Sequence, residues 1–271
     1  VTYILAKIFG KEYLEDMRVW SKYAIDDLSV TIFANLSYEL NQAAGRLLCS
    51  SVAFDHPKFG MLHLRNLDWD LNGMREGTII INYINGPCGD FEAVAVPGQV
   101  GIISGVAEGR FSATINLAPA SEVKIKFNRW SAPFLLRHIF ENCLTYNDAV
   151  NFVASSKTVG PTFIQLVGIN PGEACTIETM PLAPNIVHFY NNEPLAITNH
   201  YTGKEEQEGL DAEEFEWSEE RLIALQMYSS AYQIRNLSDG FKVLDKYPLN
   251  HELTTQRMVL CAQTGGCLVR T

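Results

Sequence analysis

The stretch GRLLCSSVAFDHPKFGMLHLRNLDWDL, residues 45–71, holds two runs of strand-forming residues on either side of a turn. Residues 47–54 form the first run, residues 56–60 carry a Pro and a Gly, and residues 61–66 form a second extended apolar run. Two such runs separated by a short segment with Pro and Gly are typical of a β-hairpin. We therefore expect the two runs to pair as antiparallel strands.

The expected pairing brings a thiol and a cation together. With a register error of one residue either way, Cys49 lies opposite Asn66 and Ser50 lies opposite Arg65. A guanidinium beside a thiol favours the thiolate, the nucleophilic form, over a free thiol whose pKa is about 8.5. Asp68 is also within reach of the thiol in this hairpin. The hairpin is therefore the main indication of function in the sequence.

A purely structural interpretation of the same residues is open. Cysteines are common among buried residues, so Cys49 can be a small core residue, and Arg65 and Asp68 can form a structural ion pair. Spacing alone favours that interpretation. The wider sequence pattern favours a nucleophile.

Seven segments match a known family in the family's order and span most of the chain, from about residue 34 to residue 222. They resemble the acid ceramidase and N-acylethanolamine acid amidase family of N-terminal-nucleophile cysteine hydrolases, with choloylglycine hydrolases and penicillin V acylases as more distant relatives. The Cys followed by Arg-Asn-x-Asp is the most specific part. The segments are ANLSYEL (Ala34–Leu40), CSSVAFD (Cys49–Asp55), LRNLDWD (Leu64–Asp70), SATINLAP (Ser112–Pro119), PTFIQLVGINPGEACTIE (Pro161–Glu178), ITNHY (Ile197–Tyr201) and EERL (Glu219–Leu222).

The resemblance implies a self-processing enzyme. In this family a precursor cuts its own backbone just before the cysteine, so the Leu48–Cys49 bond would break and Cys49 would become a new N-terminus. Its α-amine, with a pKa of about 7.7–8.0, can then act as general base for its own thiol, which explains why no His partner stands out. We expect residues 1–271 to form a single catalytic domain, with residues 1–48 staying associated after cleavage.

The resemblance also implies roles for five further polar residues. Arg65 would hold and polarise the thiolate, and Asp68 would orient the amine. Asn199 would donate its side-chain amide to the oxyanion of the tetrahedral intermediate, together with the backbone N–H of Asn116, and Arg221 would complete the polar floor of the site.

One position departs from the family pattern. Ceramidase-like sequences often carry Glu after the Asn of a Thr-Leu-Asn motif, whereas Leu117 follows Asn116 here. A substrate or processing role of that Glu therefore does not carry over to this chain.

Hydrophobic periodicity predicts helices over residues 11–28, 30–40 and 217–235, another capped by Asn147, and strands that include residues 99–104. Strands, paired helices, strands, a helix and strands follow the hairpin in that order. Two antiparallel sheets covered by helices would produce this order, so the fold class is α+β. The resemblance sharpens it to the four-layer αββα sandwich of N-terminal-nucleophile hydrolases.

Charge and hydropathy exclude some partners. The 271-residue chain has a formal net charge of -10, and nine acids without a Lys or Arg lie in residues 205–220. That stretch fits a solvated loop leading into a helix, or a mobile flap over the site. No basic stripe is present to bind nucleic acid. No apolar run reaches the ~18 residues of a membrane span, so we expect no transmembrane segment and at most peripheral contact with lipid surfaces.

The six cysteines and six histidines lack the spacings of metal sites, so neither a metal nor a cofactor is expected. Cys261 and Cys267 flank a Gly-Gly turn and could form a disulfide in an oxidising compartment, or remain two thiols on paired strands. Sequons at Asn35 and Asn236 fit a secreted or lysosomal protein. Together with the periplasm, these are the compartments that we expect.

We expect an amidase that cleaves the linear amide bond of a small-molecule N-acyl substrate through a thioester on Cys49. The resemblance implies a lipid substrate, a fatty-acyl amide such as an N-acylethanolamine or a ceramide. Two alternatives stay open. One is a bile-salt or penicillin V type acylase, and the other is a catalytically silent relative that binds lipid or a partner protein and never matures.

Overall fold

The structure is a computed structural model that describes residues 9–24, 27–44, 47–69, 71–119, 129–202 and 210–271. Its helices and strands alternate in blocks, as the periodicity predicts. The helices are α1 (Lys11–Ala24), α2 (Leu28–Asn35), α3 (Ser37–Ala44), α4 (Ala132–Asn142), α5 (Tyr146–Ser155), α6 (Ala212–Ala231) and α7 (Phe241–Leu244). The strands are β1 (Leu47–His56), β2 (Gly60–Trp69), β3 (Ile79–Tyr83), β4 (Phe91–Ala95), β5 (Ser104–Ala107), β6 (Phe111–Leu117), β7 (Thr162–Val167), β8 (Ala174–Thr179), β9 (Ile186–Phe189), β10 (Leu195–Ile197), β11 (Thr254–Cys261) and β12 (Gly266–Arg270).

The strands form two antiparallel sheets. The five-stranded sheet has the order β10-β1-β2-β11-β12, and the seven-stranded sheet runs from β3 to β9 in chain order. β1 packs against β6 and β2 against β7, so the sheets face each other. Helices α6 and α7 cover the five-stranded sheet and α4 and α5 cover the other, which confirms the predicted αββα sandwich.

The hairpin forms as predicted, but its register is one residue away from the expected one. Cys49 pairs with Leu67, and Arg65 pairs with Ser51. The loop between the strands has only three residues, because β2 begins at Gly60, which adopts a left-handed φ of 63°. Since side chains alternate between faces, this one-residue shift decides which residues share a face with Cys49.

Each face of the hairpin has a different environment. Val52, Leu62 and Leu64 point outward and pack with Leu225 of α6 and Leu244 of α7. The inward face looks onto the seven-stranded sheet. All five of these apolar side chains are fully buried, so hydrophobic burial on the outer face fixes the register on the inner face.

Two predicted elements in the first half of the chain have wrong boundaries. The helix expected over residues 30–40 is two helices, since α2 ends at Asn35 and α3 begins at Ser37. The strand expected over residues 99–104 begins only at Ser104. The Asn35 side-chain oxygen accepts hydrogen bonds from the N–H groups of Val100 and Gly101, at 2.7 and 3.3 Å, so these groups serve a loop instead of a ladder.

Capping explains two further differences. Thr145, not Asn147, caps α5 in a capping box with Asp148. Asp211 and Glu214 form a capping box that starts α6 five residues before the predicted Trp217. Of the acidic stretch at residues 205–220, residues 205–209 lie outside the described residues and the rest leads into and forms the first turns of α6.

The residues before Cys49 pack on the body of the domain. Tyr13 donates to Glu141 at 3.0 Å, and Asp16 pairs with Arg137. Apolar side chains of α1 bury themselves against Phe134 and its neighbours. Asn35 is only 6% exposed because its amide bonds Thr31 and the loop after β4. These contacts hold the residues before Cys49 to the rest of the domain independently of the Leu48–Cys49 peptide bond. They also bury Asn35, the asparagine of one of the two sequons.

Each of the six cysteines is a free thiol. In the hairpin of β11 and β12, Cys261 pairs with Gly266 and Cys267 pairs with Leu260. Adjacent positions along a strand point to opposite faces, so the two sulfur atoms face apart. Of the two arrangements that the sequence left open, the structure has two thiols on paired strands.

Glu39 gives a prediction about stability and pH. Its carboxylate is buried between α3 and the start of α4, where it accepts a hydrogen bond from the Ser131 hydroxyl. Desolvation raises its pKa from 4.5 to about 7, against the opposing effect of that hydrogen bond. A folded-state pKa above the unfolded value stabilises the fold at low pH, and this stabilisation is lost as the pH rises from about 4.5 to about 7.

We expect Glu39→Gln to remove that dependence. The free energy of unfolding of the wild type should fall relative to the variant between pH 4.5 and 7, by at most about 3 kcal/mol. Urea denaturation at a series of pH values measures it. Glu15→Gln, at an exposed position on α1, is the control and should track the wild type. Parallel pH curves for wild type and Glu39→Gln would contradict the prediction.

Candidate active site

Cys49 lies on β1 with its side chain between the two sheets, fully buried. The Arg65 Nη2 atom is 3.2 Å from its sulfur, and Nη1 donates to the Ile103 carbonyl at 3.0 Å. The observed register brings them together, since it puts Cys49 opposite Leu67 and Arg65 diagonally across on the same face. The predicted pairing of thiol and cation is therefore present in the structure.

Opposing influences act on the thiol. Burial raises the pKa of Cys49 above its ordinary value, and the negative charge of Asp68 raises it further. The Arg65 and Arg221 cations and a hydrogen bond from the Leu117 backbone amide lower the same pKa. Burial has the largest effect, so the thiol is mostly protonated in the uncut chain and needs a base to become a nucleophile.

Asp68 lies on the opposite face of β2, directly across the ladder from Leu48. Its Oδ1 accepts a hydrogen bond from Thr254 Oγ1 at 2.7 Å, and its Oδ2 is 3.3 Å from His251 Nε2 and 3.9 Å from Arg221 Nη1. Residues three apart on a strand point to opposite faces, so Arg65 and Asp68 do not form the ion pair of the structural interpretation. Asp68 instead flanks the bond before Cys49.

Asn199 and Arg221 hold the backbone of Cys49. The Cys49 N–H donates to Asn199 Oδ1 at 2.9 Å, and Arg221 Nη1 donates to the Cys49 carbonyl at 2.7 Å. Arg221 Nη2 donates to the same Asn199 oxygen at 3.0 Å, while Asn199 Nδ2 donates to the Leu117 carbonyl at 2.9 Å. Both predicted residues therefore reach the nucleophile although they lie 150 and 172 positions away in the chain.

Asn116 lies near the site, but its side chain donates hydrogen bonds to backbone carbonyls of another segment. Its Nδ2 donates to the carbonyls of Ile197 and Thr198, at 3.0 and 3.2 Å, and so ties β6 to the segment that carries Asn199. The backbone amide that points at the Cys49 sulfur belongs to the next residue, Leu117. The role of the Asn116 N–H toward an oxyanion stays a prediction.

A polar network beside Arg65 joins the two sheets. His63 Nε2 is 3.0 Å from Ser51 Oγ, its Nδ1 is 2.9 Å from Ser112 Oγ, and Ser51 donates to Gln165 Oε1 at 2.6 Å. Burial lowers the pKa of His63 to about 3, so the ring stays neutral. Neutral partners on both sheets thus fix the strand that carries Arg65 without a competing charge.

A cavity of about 230 Å³ lies near Cys49, although Cys49 itself does not line it. Tyr38 and Trp69 line it and belong to the same packed cluster as Cys49, and so does Ile103, whose carbonyl binds Arg65. Its walls consist of residues that come before and after the Leu48–Cys49 bond in the chain, and they are mostly apolar. The residues that decide its character are Phe33, Ala34, Tyr38, Trp69, Leu71, Met74, Val96, Ile103 and Pro133.

Four residues that contact the site were not predicted: Leu117, Thr254, His251 and Tyr38. Thr254 and His251 lie far from the hairpin in sequence, so no local pattern points to them. Tyr38 and Leu117 lie in two of the matching segments, but the resemblance assigned no role to either. Within the described ranges, no group of three or more His, Cys, Asp or Glu side chains is arranged to hold a metal ion. None of the described helices is both long and apolar enough to cross a membrane.

The layered fold with a cysteine inside β1 defines an N-terminal-nucleophile hydrolase fold. A solved structure of a Caenorhabditis elegans N-acylethanolamine-hydrolyzing acid amidase ortholog superposes with a TM-score of 0.64 at 21% identity, covering 79% of this chain and 93% of that one. The Clostridium perfringens conjugated bile acid hydrolase superposes with a TM-score of 0.53 at 10% identity, covering 82% and 89%. At these identities, the likeness shows the shared fold.

The chain belongs to the acyl-coenzyme A:6-aminopenicillanic acid acyl-transferase family, whose sequence model matches residues 57–266. Among curated proteins it is similar to acid ceramidase of Heterocephalus glaber, at 26% identity over 192 residues, and to human acid ceramidase, at 25%. These alignments cover 62% of this chain and 47% of each relative, so the chain spans about half the length of the curated relatives it matches. The predicted resemblance to the acid ceramidase and N-acylethanolamine acid amidase family is confirmed.

The Arg65–Cys49 contact gives a prediction about thiol ionisation. Removing the cation in Arg65→Met disfavours the thiolate, so alkylation of Cys49 by iodoacetamide should require a higher pH than in the wild type. Arg65→Lys keeps the charge and should give an intermediate profile. Peptide mass spectrometry separates Cys49 from the other five cysteines.

Arg270→Met is the matched control, because Arg270 is half exposed and distant in the sheet order. It should alkylate like the wild type. Circular dichroism checks that each variant is folded. The same pH profile in folded Arg65→Met and wild type would remove Arg65 from the control of the thiol.

Proposed function

We propose that this chain is a self-processing cysteine amidase in which Cys49, freed at a new N-terminus, attacks the linear amide bond of an N-acyl substrate. One observation carries the proposal. The Cys49 thiol faces the Arg65 guanidinium at 3.2 Å while its own backbone nitrogen is held by Asn199 at 2.9 Å. The thiol and the nitrogen that would become its base are thus fixed in one buried site.

The first reaction is the cut before Cys49. The Cys49 sulfur attacks the Leu48 carbonyl carbon, a sulfur–carbon bond forms, the Leu48–Cys49 C–N bond breaks, and the proton given up by the thiol passes to the departing nitrogen. Water then hydrolyses the thioester, which releases the Leu48 carboxylate and restores the thiol. Residues 1–48 stay bound through the contacts of α1 to α3, and residues 1–271 act as one domain.

Substrate hydrolysis repeats these steps on an external amide. The α-amine of Cys49 takes the thiol proton, the thiolate attacks the substrate carbonyl, and the departing amine leaves with that proton. Asn199 and a backbone amide of the Asn116–Leu117 pair stabilise the oxyanion. Asp68 and Arg221 orient the α-amine and the Cys49 backbone. Water finally releases the acyl group as an acid.

The apolar cavity favours a fatty-acyl substrate of the ceramide or N-acylethanolamine kind. Its walls offer few polar groups, which suits an acyl chain better than a bile-salt or penicillin nucleus. Phe33 and Leu71 line it and are 64% and 47% exposed, which supports entry of the substrate from a lipid surface. A panel of fluorogenic N-acyl amides with different acyl chains and head groups tests this choice.

Cys49→Ala should abolish both the self-cleavage and the hydrolysis while the fold stays intact, because the same sulfur performs both attacks. Intact mass measurement should show one chain for the variant. The wild type should give two fragments, one of which begins with Cys49. Cys88→Ala changes a cysteine outside the site and serves as the control, with normal processing expected. An uncut wild-type chain at every pH would favour a silent binding protein instead.

Asn199→Ala should slow turnover with little effect on substrate binding. Loss of one oxyanion donor typically lowers kcat by about 10²- to 10³-fold, and KM changes far less because the donor acts in the transition state. Steady-state kinetics on a hydrolysed amide measure both constants. Asn142→Ala, at an exposed position on α4, is the control. Unchanged kcat in processed Asn199→Ala would exclude the residue from the site.

A further inference from the structure

His251 lies in the loop before β11, and its imidazole faces the Asp68 carboxylate. Its Nε2 is 3.3 Å from Asp68 Oδ2, and its side chain is 11% exposed. Both atoms are buried, and within the described residues neither has a hydrogen-bond partner, so their 3.3 Å approach is a close polar contact that falls short of hydrogen-bond geometry. Arg221 is the nearest cation to the same oxygen, but at 3.9 Å it is too distant for a hydrogen bond. The contact with His251 is therefore the short one.

The loop fixes the orientation of the imidazole. The Leu253 N–H points at His251 Nδ1 at 3.4 Å, so Nδ1 is the acceptor and Nε2 carries the hydrogen that faces the carboxylate. The Trp217 ring packs against the imidazole nearly at right angles, at 5.5 Å between ring centres. Both neighbours contact the ring, and in this position its Nε2 atom lies 3.3 Å from the Asp68 carboxylate.

Thr254, the first residue of β11, contacts the other oxygen of the Asp68 carboxylate. Thr254 donates to Asp68 Oδ1 at 2.7 Å and accepts a hydrogen bond from the His251 backbone N–H at 3.1 Å. Asn66, two residues before Asp68, donates to the Leu249 carbonyl at 2.7 Å and anchors the start of the loop. The segment from His251 to Thr254 thus contacts both carboxylate oxygens of Asp68.

We propose that His251 is a positioning residue for Asp68, so that its Nε2–H keeps the carboxylate directed at the bond between Leu48 and Cys49. The inference rests on the proposed function, because it assigns Asp68 to the α-amine. Asp68 pairs with Leu48 across the ladder, so a small rotation of the carboxylate changes its position relative to the new terminus. Without His251, the free oxygen turns toward Arg221.

That rotation has a chemical consequence. Arg221 holds the Cys49 carbonyl and the Asn199 oxygen, and a carboxylate that moves closer competes for the same guanidinium. The α-amine and the oxyanion donor are then misaligned together. Because His251 does not line the apolar cavity, substrate binding is unaffected and the loss falls on kcat.

His251→Leu removes the donor and His251→Gln retains an N–H at similar reach. We expect His251→Leu to lower kcat and the rate of self-cleavage about ten- to a hundredfold, the effect of one hydrogen bond to a charged group, with KM within about twofold. His251→Gln should recover most of the loss. His188→Leu is the matched control, since His188 Nε2 also pairs with a buried carboxylate, that of Glu178 at 3.0 Å, and it should keep the wild-type kcat.

The outcomes separate this inference from the function on which it rests. A wild-type chain that neither cleaves itself nor hydrolyses any amide overturns the proposed function and the role of His251 with it. An active wild type with unchanged kcat in folded His251→Leu overturns the role of His251 alone. Equal losses in the Leu and Gln variants also overturn it, because the N–H would then not matter.

A spectroscopic measurement tests the contact without any turnover. The ¹⁵N resonances of the imidazoles, assigned with His251→Gln, report which nitrogen carries the hydrogen. The proposal requires an Nε2–H ring at His251 whose signal moves in Asp68→Asn and stays in place in Glu178→Gln. A ring protonated at Nδ1, or one that does not respond to Asp68→Asn, overturns the proposal.

Discussion

The register of β1 against β2 is the constraint on which the rest of the site depends. It puts Cys49 and Arg65 on the face between the sheets and leaves Asp68 on the face beneath α6. The buried apolar side chains on that second face hold the register, since a slip of one residue would expose them and bury polar groups in their place. Core packing therefore determines the electrostatics of the thiol.

Two buried cations dominate the charge distribution around the nucleophile. Arg65 and Arg221 are both fully buried. Within the part of the chain that the structure describes, Asp68 is the only carboxylate within 4 Å of either guanidinium, at 3.9 Å from Arg221. Desolvation lowers the pKa of Arg221, and Asp68 and the Cys49 thiolate counteract this effect. Such an arrangement is expensive to bury, yet it favours a negative charge on sulfur once the thiol is deprotonated. This is the electrostatic requirement of a cysteine nucleophile.

The proposed maturation would use the same contacts in different ways before and after cleavage. In the uncut chain, Asn199 accepts from the Cys49 peptide N–H, and Arg221 fixes the carbonyl of the same residue. Cleavage would convert that peptide nitrogen into an amine without moving it. The helices before Cys49 also form one wall of the apolar cavity, so under the proposed function their continued association would serve substrate binding as well as stability.

The sequence by itself predicted the hairpin and the α+β class, because periodicity is a local property of the chain. Its resemblance to a known family predicted the αββα layers and most of the polar residues that meet at Cys49, and the role of Cys49 as nucleophile stays a prediction. The sequence did not determine the face on which Arg65 lies, since a one-residue shift in a three-residue loop reverses that face. The Leu117 amide and the His251–Thr254 loop became visible only in the tertiary structure. Their contacts join positions up to 186 residues apart, and such pairs are chosen by the packing of two sheets rather than by any local pattern.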